Sequence, residues 1–237
     1  MRTLFKPFIC GISPAFILFF CIAAWLFHSN PQWDINFSAI FYINSDFYAS
    51  DKWWGDFVYS GVHFATPVVI ALYAIYLLLS FILKKKRFIG ISRKAILYMA
   101  LVLILGPGLF VNSVLKEHIG RARPVDTQCF SGEQQFAPAF ARTNECDGNC
   151  SFVSGHASFG FYWLALGFLG TTVFRKRMGY ALGIFMGFGI GLVRIMQGKH
   201  FLSDIVFAGF FVYLTAAVVY WLLYIKFAEY TDTATNA

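Results

Sequence analysis

Three short stretches hold most of the chemically useful side chains of an otherwise apolar sequence. In "KEHIGRARP" (116–124), Lys116 and Arg123 stand seven residues apart. That is two helical turns, so they share a face if the helix runs on to Pro124, which would end it. "SFVSGH" (151–156) sets Ser154 and Gly155 ahead of His156 at the mouth of an apolar run. A serine there caps a helix, and the first N–H groups of that helix can receive an anion that glycine lets come close. "RIMQGKHFLSD" (194–204) puts Arg194 six residues before His200 and Asp204 four after it. On a helix, the last spacing lets the carboxylate reach the imidazole, fix its tautomer and leave the other ring nitrogen as a nucleophile. Three cations and a helix N-terminus bind phosphate; one histidine attacks, and the other protonates the leaving oxygen. The pattern is one for phosphoryl transfer by side chains alone, with no metal and no cofactor.

The elements that must position these groups are membrane helices. Of the 237 residues, 58% are hydrophobic, 20% aromatic and 13% charged, against roughly 25% charged in a soluble domain. A span needs roughly 20 apolar residues to cross a ~30 Å hydrocarbon core. Six such runs are present, at about 8–28, 60–83, 95–115, 155–174, 178–196 and 203–225. The fold class is therefore all-α, a polytopic bundle of six transmembrane helices, read as one membrane-embedded domain over 1–237 with a flexible tail at 227–237. The first run is longer than a signal peptide core and lacks a small-residue cleavage site, so it is read as a retained helix.

The connecting segments alternate in charge. One set, with Arg2, Lys6, "KKKRFIGISRK" (84–94), "RKR" (175–177) and Lys226, holds twelve of the nineteen Lys and Arg. The other, with 29–59, 116–154 and 197–202, holds nine of the twelve acids, and Asp204 just past its edge makes a tenth. By the positive-inside rule both termini are cytoplasmic and the acidic loops face outward. The formal charge of +7 is thus an orientation signal and not a nucleic-acid footprint. All three polar clusters fall on the outward face, which in a bacterial inner membrane is the periplasm. A transporter would instead place polar groups near the midplane, on broken helices.

Other features point to packing. Gly179, Gly183, Gly187 and Gly191 repeat every fourth residue, which puts them on one face and lets a neighbouring backbone approach. Cys10 and Cys21 read as small core residues of the first span. The aromatic segment 29–59 reads as an interfacial helix pair capping the bundle. Cys129, Cys146 and Cys150 share the long outer loop, where an oxidising compartment permits one disulfide. The expected bridge joins Cys129 to Cys146 or Cys150. Zinc is the rival for these thiols, but no histidine stands at ligand spacing in the loop.

The combined pattern K-x6-R-P, S-G-H and R-x5-H-x3-D resembles the type 2 phosphatidic acid phosphatase superfamily. The resemblance spans residues 116–204 and the six-span layout. It implies that Lys116, Arg123 and Arg194 hold the phosphate, which the helix start at Ser154 and Gly155 is also expected to bind. It further implies that His200 becomes phosphorylated with Asp204 in support and that His156 is the general acid. Two positions depart from the family: Val153 stands where proline is usual and Val193 where serine is usual, which removes one hydroxyl contact. The stretch "NCSFVSGHAS" (149–158), with cysteines in the loop before it, is similar to the bacterial lipid A phosphatases of this superfamily. The implied substrate is a phosphorylated lipid in the bilayer, lipid A with its 1-phosphate favoured over the 4′. Undecaprenyl diphosphate and phosphatidylglycerophosphate are the alternatives.

Overall fold

A computed structural model describes residues 12–226; Arg2, Lys6, Cys10 and the tail 227–237 lie outside them. α1 (Pro14–Ser29) opens at Ser13, whose hydroxyl accepts from the Phe16 N–H at 3.2 Å, with Pro14 at the first helical position. Proline is tolerated there because that N–H has no intrahelical partner anyway. The chain then bends by 78° into α2 (Gln32–Ala39). No second interfacial helix follows. Asn44 and Ser45 both take positive φ, the conformation of a tight hairpin turn, and close β1 (Tyr42–Ile43) onto β2 (Asp46–Phe47).

α3 (Trp53–Ile82) starts seven residues earlier than the hydropathy predicts and has 30 residues, about 45 Å of helix. It is longer than the hydrocarbon is thick. A second hairpin, β3 (Arg87–Phe88) with β4 (Ile91–Ser92), turns the chain back. Arg93 fastens that turn by donating to Ser80 Oγ at 3.0 Å and to the Ser80 carbonyl at 2.5 Å, so this cation has a structural use besides orientation. α4 spans Arg93–Leu115. It is α-helical to Leu103 and π-helical over Ile104–Leu115, with Pro107 inside the wider turns. Proline lacks the N–H that α-helical register requires, and a π stretch absorbs the mismatch.

α5 (Lys116–Ile119) ends at Gly120, in the left-handed region at φ 66°. A long outer loop follows. Beyond it come α6 (Gly155–Phe161), a 3₁₀ turn (Tyr162–Leu164), α7 (Ala165–Leu169), α8 (Val173–Met196) and α9 (Leu202–Lys226). Among the described residues, four helices are long and apolar enough to cross a membrane: α3, α4, α8 and α9. The bent α1–α2 pair makes up to a fifth. The predicted span 155–174 falls short. Its helical run stops at Leu169 because Gly170 is extended, which leaves about 22 Å.

The glycine stripe of α8 does what its spacing predicts. All four glycines are buried. A Cβ on Gly179 would lie 2.4 Å from the Gly167 nitrogen, and one on Gly183 2.3 Å from the Leu164 nitrogen. α6 and α7 therefore lie against the bare backbone of α8, which fixes the depth of His156 relative to Arg194. Phe140, Phe152 and Phe207 pack edge to face or tilted in the adjoining core. Cys21 is exposed, contrary to its expected core position, because α1 turns that side of the helix outward.

Candidate active site

The polar ends of α4, α6, α8 and α9 meet at one end of the bundle, around a cavity of about 670 Å³. Lys116, Arg123, Gly155, His156, Arg194 and His200 all line it. Six of the eight site residues expected from sequence therefore share one chamber. The other two, Ser154 and Asp204, stand behind its wall.

The local geometry differs from the expected one in instructive ways. Lys116 and Arg123 do not share a helix face, since Gly120 ends the helix and Arg123 is extended ahead of Pro124. A Cβ at Gly120 would fall 2.0 Å from the Thr143 carbonyl oxygen, so the loop closes directly over this turn. What gathers the two cations is Asn149. Its side-chain oxygen accepts from Lys116 Nζ at 3.0 Å, and its carbonyl accepts from Arg123 Nη2 at 2.7 Å.

Ser154 is an N-cap. Its hydroxyl accepts from the Ala157 N–H at 3.3 Å, and its own N–H donates to the Asp204 carbonyl at 3.2 Å. It is wholly buried, so its polar groups are spent on the helix start and not on a ligand. Gly155 is needed for close approach of a neighbour: a Cβ there would meet Asn112 Oδ1 at 2.5 Å. The Nε2 of His156 is buried without a hydrogen-bond partner among the described residues, as a group with a substrate atom to meet would be.

His200 precedes α9, so the four-residue spacing to Asp204 does not work as on a helix. The imidazole Nδ1 faces the Ser151 carbonyl at 2.8 Å, and Asp204 Oδ2 lies 3.6 Å away. A carbonyl can only accept, so Nδ1 carries the proton and Nε2 keeps its lone pair. The tautomer is set by Ser151 and not by Asp204. Burial pulls the His200 pKa down from 6.5 to about 4, against the nearby carboxylate of Asp204, which raises it. The ring is neutral at neutral pH.

Asp204 belongs to a buried network that the spacing of the motifs does not reveal. Its Oδ1 accepts from Arg121 Nη1 at 2.5 Å, and its Oδ2 from Ser151 Oγ at 2.5 Å and the Phe201 N–H at 2.7 Å. Arg121 Nη2 donates to Asp34 Oδ2 at 2.8 Å. Asp34 Oδ1 in turn accepts from the Ser203 N–H at 2.8 Å. Arg121, Asp34 and Asp204 are fully buried. Burial alone would lower the Arg121 pKa, but the carboxylates of Asp204 and Asp34 outweigh it and raise it. The one sequence signal for Arg121 is a cation on an outward loop; Asp34 carries none beyond lying in an aromatic segment.

The loop disulfide joins Cys146 to Cys150, with Cα atoms 5.7 Å apart, inside the range a bridge can span. Cys129 is free and exposed on a 3₁₀ turn, so the expected pairing with Cys129 is not made. The four-residue loop holds the two partners together, whereas Cys129 leaves on another turn. Asn149 and Ser151 flank Cys150, so the bridge steadies the segment that holds Lys116, Arg123 and His200.

A multi-pass helical protein with three cations and two histidines around one cavity at one end of its bundle defines a class: a membrane protein able to transfer phosphoryl groups. Comparison narrows it. The PAP2 superfamily profile matches residues 94–228, and the chain belongs to that superfamily. It is 40% identical over 209 residues to a lipid A 4′-phosphatase of Francisella tularensis subsp. novicida, covering 87% of this chain and 93% of that one. A lipid A 4′-phosphatase of Rhizobium leguminosarum is 34% identical over 199 residues, 76% of this chain and 83% of its own. The crystal structure of a transmembrane PAP2 type phosphatidylglycerolphosphate phosphatase from Bacillus subtilis aligns over 95% and 96% of the two chains, loosely, at 21% identity and TM-score 0.49. The protein is a membrane lipid phosphatase.

The Arg121 network yields a direct expectation. Arg121→Met leaves two buried carboxylates facing each other, and breaking such a pair costs about 3–5 kcal/mol. Thermal unfolding in detergent should show a large loss of stability, with lipid phosphatase activity falling in parallel. Arg121→Met protein as stable as the wild type would show that the network does not hold the site together.

Proposed function

We propose that the protein removes the 4′-phosphate of lipid A at the periplasmic face of a bacterial inner membrane, through a phosphohistidine intermediate. The observation that carries the chemistry is the convergence of Lys116, Arg123, Arg194, His156 and His200 on one cavity. The position on lipid A follows both relatives, each named for the 4′-phosphate, and replaces the 1-phosphate that the sequence favours. The cavity also runs down between α3 and α4, past Val62, Pro67, Ile70, Leu103, Ile104 and Leu109. That apolar shaft suits acyl chains that stay in the bilayer while the phosphate rises to the cations.

In this reading the three cations neutralise the phosphate, and His200 Nε2 attacks phosphorus. The phosphorus–oxygen bond to the sugar breaks, and His156 Nε2–H gives its proton to the departing oxygen. Water then attacks the phosphohistidine, losing a proton to His156. The phosphorus–nitrogen bond breaks, and free phosphate leaves with both histidines restored. Positive charge on the protein does the work that a metal would do elsewhere. Asp204 and Asp34 against Arg121 leave one net negative charge behind His200, which stabilises the ring as it becomes cationic.

Purified protein should release phosphate from lipid A and leave the 1-phosphate in place by mass spectrometry, in EDTA as well as without it. His200→Ala should lower release by at least 10³-fold while keeping the fold. Loss of the 1-phosphate instead, or near-normal release by His200→Ala, defeats the reading.

The burial of His200 fixes the sign of a pH effect. The charged ring is disfavoured, so the reactive neutral ring persists below the usual 6.5 down to about 4. Carbethoxylation of His200 by diethyl pyrocarbonate, followed by mass spectrometry, should stay at full rate through pH 6.5 and fall by half near 4. A half-point near 6.5 would show a solvent-like imidazole.

The orientation rests on the distribution of Lys and Arg near the span ends. With the native cysteines replaced, Glu133→Cys should react with an impermeant maleimide in intact spheroplasts, and Ile89→Cys only after lysis. The reverse pattern would put the site in the cytoplasm.

A further inference from the structure

We infer that Tyr59, on α3, is the positioning residue for the proton donor, resting on the role given above to His156. The two catalytic imidazoles are held in different ways. His200 is aimed by a hydrogen bond to the Ser151 carbonyl. The Nε2 of His156 has no partner among the described residues, yet a proton donor must be aimed as closely as a nucleophile. Its ring instead lies against Tyr59, stacked with centroids 4.8 Å apart and planes 21° apart. The guanidinium carbon of Arg194 sits 4.9 Å from the same Tyr59 ring, a distance at which a cation is attracted to an aromatic face. His63, one helical turn further along α3, closes the group. Its ring meets Tyr59 at 4.6 Å and His156 edge to face at 5.0 Å.

α3 therefore supplies none of the expected site residues but provides the surface that sets the angle between two of them. One aromatic ring touches both a phosphate-binding cation and the proton donor, so it fixes the donor relative to the phosphate. The contacts are made by the ring, so the hydroxyl should be dispensable and the aromatic ring should not. A group that acts through the proton donor should also matter only when the leaving oxygen needs a proton.

That distinction sets the experiment. Wild type, Tyr59→Phe and Tyr59→Leu are compared in the same detergent micelles on dodecyl phosphate and p-nitrophenyl phosphate. The alkoxide of the first needs a proton to leave; the nitrophenolate does not. The second substrate is followed through its first turnover only, because later turnovers also require His156 as base. General acid catalysis is worth about 10²–10⁴-fold. Tyr59→Leu should lower kcat on dodecyl phosphate by about 10²-fold with KM nearly unchanged, while the first-turnover burst of nitrophenolate changes less than threefold. Tyr59→Phe should recover most of the lost rate. Equal losses on both substrates, a change in KM alone, or no recovery with phenylalanine would each overturn the assignment. Since neither probe is lipid A, an error in the choice of natural substrate leaves this test intact.

Discussion

The site depends on one guanidinium that lies outside its cavity. Arg121 lies fully buried between two carboxylates that come from opposite ends of the sequence, Asp34 on α2 and Asp204 on α9. A buried charge is expensive unless it is paired and hydrogen-bonded throughout. Here the pairing is nearly complete, since Nε also donates to the Ala137 carbonyl and Nη1 to Ser203 Oγ. The arrangement is therefore all or nothing. The interfacial helix, the outer loop and the start of α9 must arrive together, and their arrival sets the Ser151 carbonyl against His200.

The rest of the molecule divides into a part that holds still and a part that accommodates. α8 is the fixed part, because its bare glycine face brings α6 within backbone contact and locks the heights of His156 and Arg194. α3 is the accommodating part, long, exposed along much of its surface and set against the site through the rings of Tyr59 and His63 and the aliphatic wall of the cavity. Between α3 and α4 the chamber passes from cations to aliphatic side chains within one cavity. A substrate with a charged head and greasy tails matches that gradient, and a water-soluble phosphate matches only its upper end.

The motifs were legible because their chemistry is dictated by residue type. A lysine, two arginines and two histidines on the acidic face of an apolar chain have few other uses, and six of the eight expected residues line the cavity. Spacing along the chain is a poorer guide to contact. Seven residues do not make a shared face when a left-handed Gly120 intervenes, and four do not make a contact when the helix begins after His200. Asp34 and Tyr59 were illegible for a different reason: each acts across a distance in sequence that only the fold closes. The helices themselves followed from hydropathy, except where length failed. Residues 155–169 are apolar enough for a span but stop at Gly170, and neither composition nor periodicity shows that the shortness is tolerated because α8 covers the run from one side.

The π-helical stretch of α4 has a consequence for how this sequence can change. An α-helix turns by about 100° per residue, so a stretch in wider register shifts the azimuth of everything beyond it. Lys116 follows directly after that stretch, and its direction into the cavity is the sum of the turns before it. With the winding otherwise kept, loss of a single residue within Ile104–Leu115 would swing Lys116 by about a quarter of a turn, away from the cavity, without altering one residue of the motif. In this segment length is under as much constraint as identity, and insertions or deletions that a surface helix would tolerate are closed to it.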